Sequence, residues 1–291
     1  MFAVVGTVPE ADFPLLCGPA ALSGGKLLLE NRLVAINRGT PALLASAGKA
    51  CEFLGSPYPT AYLAGDTGRG EGSRKIYARL EKNLGKSRYT SITFHYLQPD
   101  VDWHNRVLFA LDNAVHRPVL IADAGFMYAA KMSGQAESYD LFTPDIGELA
   151  FLADPAAPHP FYTRGFIFHE PERAQELIEA AYAHHNAAKY LLVKGRKDIV
   201  ASKSGILAAI EEPVVDSLEA IGGTGDIITG LAAVFTGHGK DPAEASRQAA
   251  AISRIAGDLA APDPGTQVGE IIEQIPAALS RFFARQDAGH T

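Results

Sequence analysis

Ile221-Gly222-Gly223-Thr224-Gly225-Asp226-Ile227-Ile228-Thr229-Gly230 joins a glycine-rich turn to one carboxylate and the opening of an apolar helix. Gly222, Gly223 and Gly225 permit backbone conformations closed to other residues and let a ligand approach the main chain. Free N–H groups at a helix start attract negative charge, so the turn reads as a site for an anionic, phosphorylated ligand. Asp226 does not suit anion binding, because a carboxylate repels phosphate. It suits taking a proton from an attacking hydroxyl, or holding a metal ion. The same residues also fit a plain glycine-rich helix start in which Asp226 favours the helix dipole.

Outward from this stretch, short β-branched or apolar runs alternate with longer helical patterns. Strands are expected at residues 33–36, 60–64, 91–94, 119–123, 190–194 and 199–202, and helices at 41–54, 73–84, 105–115 and 171–187. This order predicts an α/β fold with a mainly parallel sheet covered by helices on both faces. Beyond Asp226 the pattern turns helical at 227–236, 242–261 and 268–283, with Pro262-Asp263-Pro264-Gly265 as a short break. The chain, 1–291, is expected to form one domain, with an exposed loop at 154–165 and a frayed end at 286–291.

A hydrophobic content of 47% is ample for a core, and the formal net charge of -7 argues against a general nucleic-acid binder. Cys17 and Cys51 stand alone, so neither a zinc knot nor a disulfide framework is indicated. The start, Met1-Phe2-Ala3-Val4-Val5-Gly6, lacks a basic leader, and no run approaches the ~20 apolar residues of a membrane span. A cytoplasmic protein without nucleic-acid or membrane partners is the expectation. The nine histidines show no metal-binding spacing, and no Gly-x-Ser-x-Gly elbow suggests a serine hydrolase.

In open α/β sheets ligands lie beyond the carboxyl ends of strands, so the turns that follow strands matter most. Lys194-Gly195-Arg196-Lys197-Asp198 offers a glycine and flexible charges to a nucleotide phosphate or ribose, or is a solvated hairpin turn. Asp123, before Ala124-Gly125, suits a ribose hydroxyl, a magnesium-bound water or a helix cap. Thr143 and Asp145 precede another helix that either could cap. Residues 65–73, with four glycines, form a second candidate anion loop, a lid or a plain connection, and lack the Gly-Lys-Ser/Thr ending of a Walker loop.

Taken in order, Ala122-Asp123-Ala124, Thr143-Pro144-Asp145-Ile146-Gly147-Glu148, Val193-Lys194-Gly195, Gly223-Thr224-Gly225-Asp226 and Ala256-Gly257-Asp258-Leu259-Ala260 form an ordered set. That set resembles the ribokinase-like superfamily and, within it, the ADP- or ATP-dependent NAD(P)H-hydrate dehydratases. Ile275-Pro276-Ala277-Ala278-Leu279 resembles the family's closing helix, so the likeness covers roughly residues 119–280. Gly39-Thr40-Pro41-Ala42-Leu43-Leu44-Ala45 is similar to the substrate-side helix start, but the family's Gly-Pro-Gly-Leu-Gly turn has no counterpart near 91–100. Asp145 stands where a substrate-contacting histidine is expected, which exchanges a donor for a charge.

The resemblance implies a three-layer α/β/α fold with a mainly parallel central sheet. It implies phosphorylation of the hydroxyl on hydrated NADH or NADPH by ADP or ATP with Mg2+, followed by loss of phosphate. Asp226 would be the base, the amides of Gly223, Thr224 and Gly225 the anion hole, and Lys194, Gly195, Arg196, Lys197, Asp198 and Gly222 the nucleotide site. Ala42, Asp123 and Asp145 would face the substrate, and a homo-oligomer is expected. Two alternatives remain open: a kinase of a small sugar, vitamin precursor or other alcohol, and a nucleotide-binding protein without catalysis. The donor half serves all three.

Overall fold

The computed structural model describes residues 1–114, 116–157 and 173–288. Its strands are β1 (Ala3–Val8), β2 (Leu16–Ser23), β3 (Lys26–Leu29), β4 (Arg32–Val34), β5 (Thr60–Gly65), β6 (Ser91–His95), β7 (Val119–Ala122), β8 (Leu141–Phe142), β9 (Tyr190–Val193), β10 (Asp198–Ser202) and β11 (Gly205–Ile210). Its helices are α1 (Thr40–Phe53), α2 (Glu71–Asn83), α3 (Val101–Ala110), α4 (Ala124–Met132), α5 (Ile146–Ala153), α6 (Ala174–Ala183), α7 (Thr224–Gly237), α8 (Pro242–Ala260), α9 (Val268–Glu273) and α10 (Ile275–Ala288).

The strands form one sheet in the order β11-β10-β9-β8-β7-β6-β1-β5-β2-β3-β4. The six strands from β9 through β5 run parallel, and antiparallel hairpins extend both edges. Alternate side chains of the central strands enter opposite cores. Val4, Leu63, Ile121 and Leu192 join α1, α7, α8, α9 and α10 on one face. Val5, Ala64, Leu120 and Leu191 join α2, α3, α4, α5 and α6 on the other. The result is the three-layer, largely parallel architecture expected from the sequence.

Several elements depart from the expected map. β1, β2, β3, β11 and α4 were not anticipated. β1 is a buried apolar run without alternation, and β2 contains Gly18 and Pro19, residues that read as turn rather than strand. The final helix expected at 268–283 is two helices, α9 and α10, and the second continues to Ala288 instead of fraying at 286. Most of the loop expected at 154–165, from residue 158 onward, lies outside the described residues, as does the start of the helix expected at 171. Ala157 is buried, because Lys131 Nζ donates to the carbonyls of Phe151, Asp154 and Ala157 and draws that segment inward. No described helix is long and apolar enough to cross a membrane.

Candidate functional site

β5 and β6 lie on either side of β1, so connections diverge there and leave a crevice at the strand ends. Into it project His95 from the end of β6, Asp123 after β7, Lys194 after β9, and the starts of α1 and α7. Gly6 of β1 lets them converge: a Cβ there would stand 2.3 Å from Thr40 Oγ1 and 2.5 Å from the His95 carbonyl. Gly230 performs the same service between helices, where a Cβ would lie 2.1 Å from Ser46 Oγ of α1.

The α7 start has the form the sequence suggested. Gly223 is the N-cap with φ 103 and supplies no side-chain cap; Ile227 N–H bonds back to its carbonyl at 3.2 Å. Asp226 follows in the first turn and is 7% exposed. Its Oδ2 accepts the Gly39 N–H at 2.6 Å, and its Oδ1 lies 3.0 Å from His95 Nε2. His95, 1% exposed, has its Nδ1 3.0 Å from Thr40 Oγ1. Both contacts are satisfied with Nε2–H donating to Asp226 and Nδ1 accepting from the Thr40 hydroxyl. Asp226 is thereby aimed as well as charged, by one amide and one imidazole.

A second carboxylate is neutralised in place. Asp123 Oδ2 receives Lys194 Nζ at 2.8 Å and Thr229 Oγ1 at 2.8 Å, while its Oδ1 accepts Ala124 N–H at 2.8 Å. Burial would raise its pKa, but the Lys194 ammonium, His95 and the hydrogen bonds from Lys194 and Thr229 together hold it below the ordinary carboxylate value. Burial would likewise lower the Lys194 pKa, and Asp123 and Glu148 instead hold it above the ordinary lysine value. Glu148 receives the Tyr128 hydroxyl at 2.6 Å, and burial, with Asp123 and Asp145 adding to it, pushes its carboxyl up to about 8.

The expected nucleotide residues separate into two groups. Lys194 sits by the α7 start, its Nζ 3.7 Å from where a Cβ on Gly225 would stand, so turn 194–198 and turn 222–225 do meet. Arg196 and Lys197 are exposed and pair with Asp216 and Glu211. Asp198 is buried beneath the hairpin, where it accepts the Gly195 N–H at 3.1 Å and Arg254 Nε at 2.8 Å. Arg254 also donates to the carbonyls of Gly195, Arg196 and Glu211, which fixes the turn from below. Asp198 thus shapes the turn from within the core. Gly222 lies against Arg38, whose Cδ is 3.8 Å from a Cβ position there.

Of the residues expected to face the substrate, Ala42 is fully buried in the core of α1. Asp145 is exposed and closes a capping box with Glu148, accepting its N–H at 2.8 Å and donating its own to Glu148 Oε2 at 2.9 Å. Loop 65–73 satisfies itself: Asp66 accepts from the amides of Gly68, Gly70 and Ser73 and from the Ser73 hydroxyl, filling the space an anion would take. Among the described residues no group of three or more His, Cys, Asp or Glu side chains is placed to hold a metal.

His95, Arg254, Tyr96 and Arg38 escaped the sequence reading. His95 had a usable signal, a polar ring directly after an apolar strand. Arg254, between Ile252 and Ile255 on an otherwise apolar stripe, had another.

Comparison with known proteins bears on the family and the fold. The family model described as NAD(P)H-hydrate dehydratase matches residues 98–277. An uncharacterized protein of Methanocaldococcus jannaschii, MJ1337, is 36% identical over 81% of this chain and 98% of its own length. The bifunctional NAD(P)H-hydrate repair enzyme Nnr of Pyrobaculum aerophilum is 27% identical over 56% of this chain; the match spans 30% of that larger protein. A solved ribokinase-like superfamily protein of Enterococcus faecalis superposes with a TM-score of 0.56 at 16% identity, covering 97% of this chain and 87% of that one.

Proposed function

This chain belongs to the family described as NAD(P)H-hydrate dehydratase, on a ribokinase-like fold, and we propose that it phosphorylates the hydroxyl of hydrated NADH or NADPH and then eliminates phosphate. The observation that carries this reading is the Asp226 carboxylate, clamped by Gly39 N–H and His95 in the first turn of a glycine-flanked helix. Asp226 takes the proton of the attacking hydroxyl as its oxygen bonds to phosphorus and the bond to the nucleotide's leaving oxygen breaks. The amides of Gly223, Thr224 and Gly225 receive the charge gathering on the transferred group, and Lys194 and Arg38 flank it. Loss of phosphate with a neighbouring ring proton then restores the dihydropyridine. The uncapped helix start and bare glycines fit ADP or ATP between turns 194–198 and 222–225. Mg2+ is assigned no protein ligand here, since Lys194 and Thr229 already engage Asp123; nucleotide oxygens would carry it.

One observation favours the second reading, an ATP-dependent kinase of a small sugar, vitamin precursor or other alcohol. His95 and Tyr96 occupy the strand end where the family's glycine turn is expected, so the acceptor wall differs. To separate them, hydrated NADH is supplied with ADP or ATP while dihydropyridine absorbance and phosphate are followed. Absorbance recovery with matching phosphate release supports the repair reaction. Phosphoryl transfer to hydrated NADH without recovery supports a kinase, and no turnover of hydrated NADH contradicts the repair reaction.

A further inference from the structure

Arg254 of α8 is 9% exposed and lies under the turn between β9 and β10. Its Nε donates to Asp198 Oδ2 at 2.8 Å, its Nη1 to the Glu211 carbonyl at 2.8 Å, and its Nη2 to the carbonyls of Gly195 at 3.0 Å and Arg196 at 2.7 Å. Four of the five N–H groups of the guanidinium are thereby used. A tight turn ordinarily pairs a carbonyl with an amide of its own. This one gives two successive carbonyls to a side chain 59 and 58 positions further along the chain.

The other face of the turn is set by the same contacts. In a trans peptide the C=O and the N–H that follows it point in opposite directions, and the peptides here are trans. With the Gly195 and Arg196 carbonyls drawn down to Arg254, the amides of Arg196 and Lys197 point out of the core. Neither amide has an acceptor among the described residues, and Gly195, Arg196 and Lys197 are all exposed. Two successive outward amides make a donor-only surface that suits phosphate oxygens.

We infer that Arg254 is a positioning residue for nucleotide binding: by holding the Gly195 and Arg196 carbonyls it aims the Arg196 and Lys197 amides at phosphate oxygens of the nucleotide. The inference rests on the reading of turns 194–198 and 222–225 as the nucleotide site, and adds which atoms of the first turn make the contact. Arg254 acts through the backbone without touching the ligand. The Arg196 and Lys197 side chains are paired with Asp216 and Glu211, which leaves the main chain as the free group. A buried Arg–Asp pair adds little stability over an apolar pair, so the place of this guanidinium is better accounted for by the geometry it imposes on the turn.

The test titrates the protein with ADP, ATP and adenosine, by calorimetry and by amide-resolved NMR. In wild type, ADP or ATP should shift the amide signals of Arg196 and Lys197, and adenosine, which has no phosphate, should leave them in place. Arg254→Lys keeps a cation opposite Asp198 but has no planar fork to span the carbonyls. It should bind the nucleotide about 10- to 100-fold more weakly, the scale of one or two misaligned charge-assisted hydrogen bonds, and lose the shifts at 196 and 197. If that variant misfolds, the double variant Arg254→Met with Asp198→Asn removes both charges together and should show the same loss. A lower melting temperature with unchanged nucleotide affinity would mean a merely structural role and overturns the inference. So do wild-type shifts confined to residues 222–225, which leave the rest of the nucleotide site standing; wild type that binds neither ADP nor ATP overturns the nucleotide site as well. Turnover of hydrated NADH is not read here, so failure of the repair reaction is a separate result.

Discussion

His95 Nε2 lies 3.0 Å from Asp226 Oδ1, a contact between the end of a central strand and the first turn of a helix 131 positions later. It ties the half of the sheet that ends in β6 to the half of the chain that carries the glycine turn. Because the imidazole is itself held by Thr40, rotation of the carboxylate is restrained through two bonds as well as by Gly39 N–H. That restraint is what makes a first-turn aspartate suitable for proton transfer at a fixed place.

Replacing His95 with phenylalanine keeps the bulk and removes both hydrogen bonds. Turnover should fall by about 10- to 100-fold, the scale of a misplaced reacting group, while nucleotide affinity stays unchanged. His95→Gln, which can still donate to Asp226, should recover part of the loss. Steady-state kinetics with nucleotide titration checks this, and a fall in nucleotide affinity alone contradicts the positioning role.

Gly6 bears on the same contact from the sheet. In Gly6→Ala the new methyl group would meet Thr40 Oγ1 at 2.3 Å and the His95 carbonyl at 2.5 Å, so one of them must move. Overpacking of this kind costs about 1–3 kcal/mol, to be read by urea denaturation, and turnover should drop with it. Wild-type stability in the variant would mean that the β1–α1 approach is looser than these distances require.

Asp123 and Lys194 form a buried pair whose partners depend on each other. Asp123→Asn leaves the lysine without its counter-charge and should cost about 3–5 kcal/mol in a denaturant melt. The double variant Asp123→Asn with Lys194→Met removes both charges and should regain most of that loss. Equal instability of the single and double variants would show that the pair is not the source of the cost.

Glu148 supplies a pH signature. Its folded carboxyl titrates at about 8 against an ordinary value of 4.5, because of burial and the charges of Asp123 and Asp145. Its contribution to stability is therefore fully present below about pH 4.5 and is lost as the pH rises toward 8. Glu148→Gln keeps the capping box and does not titrate, so its Tm should decline less than that of wild type between those limits. Parallel Tm profiles would contradict the shift.

The glycine turn at the start of α7 was legible because its signal is local. Gly222, Gly223, Gly225 and Asp226 lie within five consecutive positions, and a glycine turn before an apolar helix is recognisable without its surroundings. The parallel core was legible from the alternation of strands and helices. His95 and Arg254 were not, since each acquires its role from a partner far along the chain: Arg254 meets Asp198 across 56 positions. β2 was hidden by Gly18 and Pro19, which pair with β5 in the folded sheet although each disfavours a strand. Asp145 was open to two readings in the sequence, a helix cap or a substrate-facing residue. In the structure it closes a capping box with Glu148, the acidic residue three positions on.

The most direct test of the account is the rate of Asp226→Asn with hydrated NADH and ADP or ATP, alongside its melting temperature and nucleotide affinity. The substitution keeps the side-chain size and the contact with Gly39 N–H while removing the base. Turnover should fall by about 10²–10⁴-fold with stability and nucleotide affinity little changed. A variant that keeps most of its rate, or that simply unfolds, would contradict the assignment of Asp226 as the residue that takes the proton.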